Sequence, residues 1–499
     1  MSRDIILIQP HCGKYDIFIL DMPLSLLYAA RMLVSAGYRV HVLDQRVEKE
    51  GFWPRLKSLL ELNPVYAGVT VMTGEPVKHA LEICRFVRAH STTPLVWGGI
   101  HATILPEQTL ASPLVDYVIK GKGERAALYL AEALTGQRSL DATPGLSYAQ
   151  PSGGFAHHAE DDEEAWDETP LVPYDLIDVS RYYRVGFEGK VFSLMTSRNC
   201  PMKCTFCYNS ALAAKRKWKP DGLEYTLRHI DFILERYQPD YLSFIDDDFF
   251  INKKRAWDIL SHLERAAPPT MRVGFRGARV AELARLPDEY FDLMEKVRTT
   301  HINIGIESGS PRILQLIKKG MTVEQAVEVN RRFALRPSFV PLYNFFSGIP
   351  QETEEDIKLT TALILRLVKE NPYCQISGYH QYTPYPGNAL YREAVAGGFP
   401  EPKTLEEWGA LRFEDNARNC PWIDRRRRRL LEMVYSMVYF VDGKYDMYFA
   451  KSHWLLKALY PLVQAYKPVA RFRLRHHLTA LPLEVMVKDL FYRLYYSPN

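Results

Sequence analysis

Three cysteines, Cys200, Cys204 and Cys207, stand within eight residues in the run Ser197-Arg198-Asn199-Cys200-Pro201-Met202-Lys203-Cys204-Thr205-Phe206-Cys207-Tyr208-Asn209. Thiolates are soft ligands, and three on so short a loop can converge on one iron-sulfur cluster. Three sulfurs cannot satisfy four irons, so one iron stays open to an outside ligand, which makes such a site a place for chemistry rather than electron storage. The alternative is a structural zinc ion, which wants four ligands, and no fourth Cys or His lies nearby in the chain. Cys12, Cys84, Cys374 and Cys420 are scattered and read as ordinary buried residues. Seven cysteines, three of them clustered, suit a reducing compartment.

Other groups with chemical potential follow apolar runs. Asp246-Asp247-Asp248 is a partner for a cation beside the cluster, or equally a helix cap or a divalent-metal site. Arg276 and Arg279 present guanidinium forks to a carboxylate or other anion, or close salt bridges at a rim.

The elements that must position these groups are legible from periodicity. Residues 1–140 alternate strands (Ile5 to Gln9, Arg39 to Leu43, Tyr66 to Val71, Leu95 to Trp97, Tyr117 to Ile119) with helices, which implies an α/β, doubly wound parallel sheet. Residues 141–185 lose the alternation and carry the acidic run 160–164, so they read as a linker with at most a small hairpin, the run being a solvated loop. From 186 to 395 six strands beginning at Val191, Tyr241, Arg272, His301, Pro341 and Gln375 recur between amphipathic helices, as in a partial (β/α)6 barrel whose active face lies at the strand carboxyl ends. Residues 396–499 turn helical, aromatic-rich and basic, with fourteen Lys and Arg against five Asp and Glu from Arg425 onward. Hydrophobic content of 47% and charge of 24% are those of a soluble globular protein. No apolar run is long enough for a membrane span and the amino terminus reads as a strand, so a cytoplasmic location is expected.

The C-x3-C-x2-C spacing, with Phe206 just before the last cysteine, resembles the radical S-adenosylmethionine superfamily. The resemblance recurs on successive strands: Phe244-Ile245-Asp246-Asp247-Asp248-Phe249, Gly305-Ile306-Glu307-Ser308-Gly309-Ser310, Gly348-Ile349-Pro350-Gln351-Glu352-Thr353 and Tyr382-Thr383-Pro384-Tyr385-Pro386-Gly387. It implies a 4Fe-4S cluster on the three cysteines. It also implies S-adenosylmethionine held by Phe206, Asp246, Asp247, Arg276, Glu307 and Ser308, with Glu352 and Thr353 capping the following helix. Tyr379, His380 and Tyr382 are then the candidate substrate-facing residues.

A doubly wound domain directly before such a barrel resembles the cobalamin-dependent (class B) members of that superfamily, and the resemblance spans nearly all of residues 1 to about 390. It implies cobalamin on the strand-end loops, with Thr70, Met72, Thr73, Gly98, Gly99, His101, Gly121 and Glu124 around the corrin. The Asp-x-His-x-x-Gly motif that ligates cobalt is not intact: the chain reads Gln9-Pro10-His11-Cys12-Gly13, so His11 is either an axial ligand or a polar loop residue. A domain that keeps the fold without cobalamin is the alternative. The activity implied is C-methylation of an unactivated carbon of a bulky, small-molecule or lipid-like substrate, with a reductase or flavodoxin-type electron donor. Cyclisation, ring contraction or carbon-carbon coupling is the second reading. The basic tail, with Arg425 to Arg429, Met433, Tyr435, Met437, Tyr439, Phe440, Tyr445, Met447, Tyr448 and Trp454, reads best as a helical lid. Contact with a membrane surface is an alternative, and no nucleic-acid partner is expected.

Overall fold

The computed structural model describes residues 2–13, 16, 19–160, 169–184, 189–212, 217–412, 419–443 and 454–480. The acidic run beyond Glu160, and Tyr445, Met447 and Tyr448, lie outside the described residues. The chain divides into two compact units, Met1–Ser193 with Glu401–Phe413, and Leu194–Pro400 with Glu414–Asn499.

The first unit is built on β1 (Asp4–Gln9), α1 (Leu24–Ser35), β2 (Arg39–Asp44), α2 (Phe52–Leu60), β3 (Ala67–Thr70), α3 (Glu75–His90), β4 (Leu95–Gly98), β5 (Tyr117–Ile119) and α4 (Glu124–Leu134). The strands lie in the order β2-β1-β3-β4-β5 and pair in parallel. Ile5, Ile6, Leu7 and Ile8 on β1 are all at or below 4% exposure, as expected of a central strand covered by helices on both faces. Strand order reverses between β1 and β3, where a doubly wound sheet opens its ligand crevice.

The expected linker contains its small hairpin, but the hairpin is part of the main sheet. Two further strands, β6 (Leu146–Ala149) and β7 (Phe155–His157), add antiparallel to β5 and extend the sheet to seven strands. Just past the end of β5, Lys120 N donates to Gly145 O at 2.9 Å, which starts this edge. The two strands are the small hairpin expected in this segment, and what the sequence did not reveal is that the hairpin joins the main sheet through pairing with β5. The segment 401–413 also belongs to this unit rather than to the helical tail: Trp408 is buried, its Nε1 donating to Gln108 at 2.6 Å, and Arg85 pairs with Glu406 at 2.8 Å.

In the second unit a six-stranded sheet follows chain order: β8 (Val191–Leu194), β9 (Tyr241–Phe244), β10 (Arg272–Arg279), β11 (Thr299–Glu307), β12 (Val340–Ser347) and β13 (Gln375–Gln381), with β9 to β13 pairing in parallel. Helices α5 (Leu223–Tyr237), α6 (Lys253–Ala266), α7 (Asp288–Lys296), α8 (Val323–Ala334) and α9 (Glu354–Glu370) stand between them. Period-two burial separates two faces. On β11, Ile302, Ile304 and Ile306 are fully buried against the helical layer, while Asn303, Gly305 and Glu307 are half-buried on the concave face. On β12 the same alternation sets Tyr343 and Phe345 against Asn344 and Phe346. On β11 the half-buried face is therefore polar, whereas on β12 it sets Asn344 among Val340, Leu342 and Phe346. After the barrel, α10 (Arg425–Met437) and α11 (Trp454–His476) pack on β13 and α9. Met433 and Met437 are buried, so they are core. Among the described residues no helix is long and apolar enough to cross a membrane.

Gly277 shows how tightly the strand ends are drawn together. A Cβ there would lie 2.0 Å from Asp246 O and 2.5 Å from Asp247 O, both backbone atoms that cannot swing away. Gly277→Ala should lower stability by about 1–3 kcal/mol. Urea unfolding followed by circular dichroism checks this, and an unchanged midpoint would refute the close approach.

Candidate functional site

The cysteine loop leaves β8 and is fastened at every part of its length. Asp246, at the end of β9, is buried and accepts from Thr196 N at 3.2 Å, Thr196 Oγ1 at 2.8 Å and Ser197 Oγ at 2.5 Å. Burial pushes this carboxyl up, against the pull of those donors. Its oxygens are engaged with the start of the loop, so the expected contact to the methionyl ammonium is not what Asp246 is built for. Asp247 faces the other end: it takes hydrogen bonds from Asn209 and from Tyr208, whose hydroxyl lies 3.5 Å away, and from the Asn199 backbone. In the middle, Thr205 N donates to Ile317 O at 3.0 Å, Leu390 N to Thr205 O at 3.0 Å and Asn388 Nδ2 to Phe206 O at 3.1 Å. The first two aspartates of the triplet are a loop clamp, and the polar residues flanking the cysteines were the signal in the sequence.

All seven cysteines are free thiols. Each sulfur of the triad has a donor: the Met202 backbone for Cys200, the Asn209 backbone for Cys207, and Arg279 Nη1 at 3.5 Å for Cys204. Cluster thiolates are stabilised by such donors, so the donor set fits a cluster held by three cysteines. Among the described residues no three His, Cys, Asp or Glu side chains group as ligands of a single metal ion.

Arg279 does not reach out to an anion in the barrel. Its Nη2 donates to Lys319 O at 2.6 Å and its Nε to Glu282 at 3.2 Å, with Asp248 at 4.0 Å. Asp248 Oδ2 is buried without a hydrogen-bond partner, and burial pushes this carboxyl up to about 7. Arg276 is half-buried on β10. Glu307 ends β11 in a left-handed conformation, φ 74°, with its carboxylate 2.7 Å from Lys319 Nζ, which in turn stands 5.9 Å from the Phe206 ring centroid. Strain of this kind gathers where a side chain must be aimed. Ser308, by contrast, is buried and shares hydrogen bonds with Thr360 Oγ1 and Ser310 N, both at 3.1 Å. Its hydroxyl ties β11 to α9, a partner 52 residues away that no local pattern reveals.

On β12 and β13 the expectations divide. Thr353 caps α9 in a capping box with Asp356, whereas Glu352 turns back, accepting from Gly348 N at 2.6 Å and from Ser347 Oγ. Burial pushes Glu352 up to about 7. His380 is exposed beside Phe346, its register partner, while Tyr379 is buried on the opposite side of the strand and so does not face the opening. Tyr382 is buried with its hydroxyl unpartnered, its ring 6.4 Å from Phe346, which lies 4.6 Å from Phe206.

In the first unit, the loops at the strand carboxyl ends are knitted together. Gly99 has φ 88°, and a Cβ there would meet Val71 O at 2.7 Å, so only glycine lets the loops after β3 and β4 touch. His101 is fully buried, its Nδ1 3.2 Å from Thr73 Oγ1 and its Nε2 without a partner; burial alone pulls it down to about 3. Gly121 N donates to Thr103 Oγ1 at 3.1 Å, and Thr70 Oγ1 meets Ser25 Oγ at 3.3 Å. Met72 is left 54% exposed at the tip, a large apolar side chain that a planar ligand over the strand ends would cover. Gly98 closes β4 in a half-buried position. Two of the expected corrin contacts are instead buried in the unit: His101 against Thr73, and Glu124, which pairs with Arg31 at 3.3 Å and joins α1 to α4. His11 Nδ1 lies 3.2 Å from Asp16, which supplies the carboxylate absent at Gln9.

The tail arginines are largely engaged. Arg426 pairs with Glu354 at 2.8 Å, Arg427 donates to Glu352 O at 2.7 Å, and Arg471 holds Val441 O at 2.7 Å.

Residues 194–364 match the family model of the radical SAM superfamily, and residues 22–131 that of the B12 binding domain. An uncharacterized methyltransferase of Pyrococcus horikoshii is 30% identical over 384 residues, spanning 75% of this chain and 78% of that protein. The anaerobic magnesium-protoporphyrin IX monomethyl ester cyclase of Rubrivivax gelatinosus is 24% identical over 404 residues, 78% of this chain and 69% of the cyclase. Among solved structures, the cobalamin-dependent S-adenosylmethionine radical enzyme OxsB, with aqua-cobalamin and S-adenosylmethionine bound, aligns with a TM-score of 0.74 at 18% identity, over 99% of this chain and 75% of that one. At that identity the likeness concerns the fold.

Two outcomes follow from the geometry. Asp246→Asn removes a charged acceptor worth about 1.5–3 kcal/mol from the base of the loop. Iron bound per chain after anaerobic reconstitution should fall below wild type, and full iron content would refute the clamp. His101 stays neutral when folded until about pH 3, but takes a proton near its ordinary value of 6.5 when unfolded. Stability is therefore lost as pH falls from 6.5 toward 3. The urea midpoint of wild type should drop more steeply between about pH 7 and 5 than that of His101→Gln, and parallel slopes would show that His101 does not contribute.

Proposed function

Because the chain belongs to the cobalamin-dependent (class B) radical S-adenosylmethionine enzymes, we propose that it is a C-methyltransferase acting on an unactivated carbon of a bulky small-molecule substrate. It uses a 4Fe-4S cluster, S-adenosylmethionine and cobalamin. When bound, these groups supply the 5′-deoxyadenosyl radical that removes a substrate hydrogen and the methyl that replaces it. The observation that carries the proposal is the clamped cysteine loop, with a donor at each sulfur, in a chain 30% identical to a protein named a methyltransferase.

The chain's own residues divide the work. Cys200, Cys204 and Cys207 hold the cluster, and Phe206, Glu307 with Lys319, Arg276 and Asp247, which ties the loop yet stays exposed, offer apolar and charged surfaces to S-adenosylmethionine. The half-buried Asn303 and Asn344, with Phe346 and His380, orient the substrate on the concave face. Thr70, Met72, Thr73, Gly98, Gly99 and Gly121 form the bed for the corrin. A reductase or flavodoxin-type protein delivers the electron, in the cytoplasm. The second reading, oxidative cyclisation, is supported by the relative named a cyclase.

The test counts products. Methyl transfer consumes two S-adenosylmethionine molecules in different ways, so 5′-deoxyadenosine and S-adenosylhomocysteine should form in nearly equal amounts, the latter only with cobalamin present. Deuterium from labelled S-adenosylmethionine methyl should enter the product. 5′-Deoxyadenosine without S-adenosylhomocysteine or methyl label would favour the cyclase reading, whereas 5′-deoxyadenosine formed by the Cys200→Ala/Cys204→Ala/Cys207→Ala protein would remove the cluster assignment.

A further inference from the structure

We infer that Arg279 is a positioning residue for the cluster ligand Cys204 and that its guanidinium raises the reduction potential of the cluster. Arg279 ends β10 and is 8% exposed. Its three nitrogens are held by three different partners, with Nη1 on Cys204 Sγ at 3.5 Å, Nη2 on Lys319 O at 2.6 Å and Nε on Glu282 at 3.2 Å. Cys204 is the buried member of the triad, at 6% exposure, so solvent contributes little to stabilising charge on its sulfur.

A rim salt bridge would need only Glu282. The fork instead carries a positive charge to a ligand sulfur, held in place by a backbone carbonyl and a carboxylate on either side. Planar, three-direction anchoring of this kind is what guanidinium provides and an ammonium does not. Reduction adds one negative charge to a cluster already bearing thiolates. A cation donating to one of its sulfurs favours the reduced state, and such hydrogen bonds are among the terms that set cluster potentials. The nearby Lys319 ammonium is matched by Glu307 at 2.7 Å. Glu282 tempers Arg279 in the same way, which yields a prediction of opposite sign for the two residues.

The inference rests on the family's cluster being held by this triad and not on methyl transfer. Its test is a mediated redox titration of the full-length reconstituted protein without S-adenosylmethionine, reading the reduced-cluster signal by electron paramagnetic resonance, with iron content measured in parallel. Arg279→Gln should lower the reduced-to-oxidised ratio about tenfold at a fixed solution potential, which is about 59 mV for one electron. Arg279→Lys should shift it in the same direction by less. The isosteric Glu282→Gln, which leaves the guanidinium in place and uncompensated, should shift it upward.

A wild-type potential in either Arg279 variant with full iron content would overturn the inference, leaving Arg279 as a strut. So would a Glu282→Gln protein with unchanged or lowered potential, or one unable to hold four irons. Should Arg279→Gln lose its iron, the other two variants decide by the same criteria. Wild-type protein that forms no cluster at all would instead refute the reading of the triad, which the iron content and spectrum of the wild type report on their own.

Discussion

Three thiolates on one short loop repel one another and have no regular secondary structure to hold them, so everything around them serves to remove that loop's freedom. The clamp is a buried carboxylate. Taking Asp246 out of water costs several kcal/mol unless its oxygens are matched, and Thr196 and Ser197, the residues that open the loop, supply the matching donors. Carboxylate and loop therefore order each other: neither is stable in its place without the other. Asp247, exposed where Asp246 is buried, ties the loop again through Tyr208, Asn209 and the Asn199 backbone, and backbone bonds to Ile317 and Leu390 sew the middle to the rest of the barrel.

The barrel uses the same logic over a larger scale. On β11 and β12 one face is buried, which frees some of the alternate positions to be polar without leaving unpaired groups in a dry core. Asn303, Glu307 and Asn344 are tolerated for that reason. The consequence is a concave surface whose chemistry concentrates at the strand carboxyl ends, where Arg279, Glu307 and Lys319 interlock beside Cys204. The first unit reaches a comparable result with neutral contacts: Thr73 to His101 and Thr103 to Gly121 lock the crevice loops while leaving Met72 outward.

Much of this is legible in the order of residues. Strand and helix alternation predicts both parallel sheets, with most boundaries close to those observed, because a strand buried on both faces must be an apolar run and a covering helix must be amphipathic. The cysteine spacing locates the cluster loop, since ligand identity and separation are local properties. Expectation and structure part where a polar residue has a partner that its motif does not contain. Asp246 looks like a cation site, Ser308 like a cofactor contact and Glu124 like a corrin contact. Their partners, 50, 52 and 93 residues away, give them structural roles instead. Tyr379 and His380 are adjacent in sequence and share one expected role, yet the strand's period of two sends them to opposite sides.

The sequence by itself determined what depends on short separations: element type, the thiolate triad and the strand-end glycines. The tertiary structure decided which polar side chains are spent on holding loops and which remain to face a ligand. A buried carboxylate, hydroxyl or guanidinium is committed by whichever donor or acceptor the fold brings within about 3 Å. That commitment is set by packing between strands and helices far apart in the chain, as Arg279 between Cys204, Glu282 and Lys319 demonstrates.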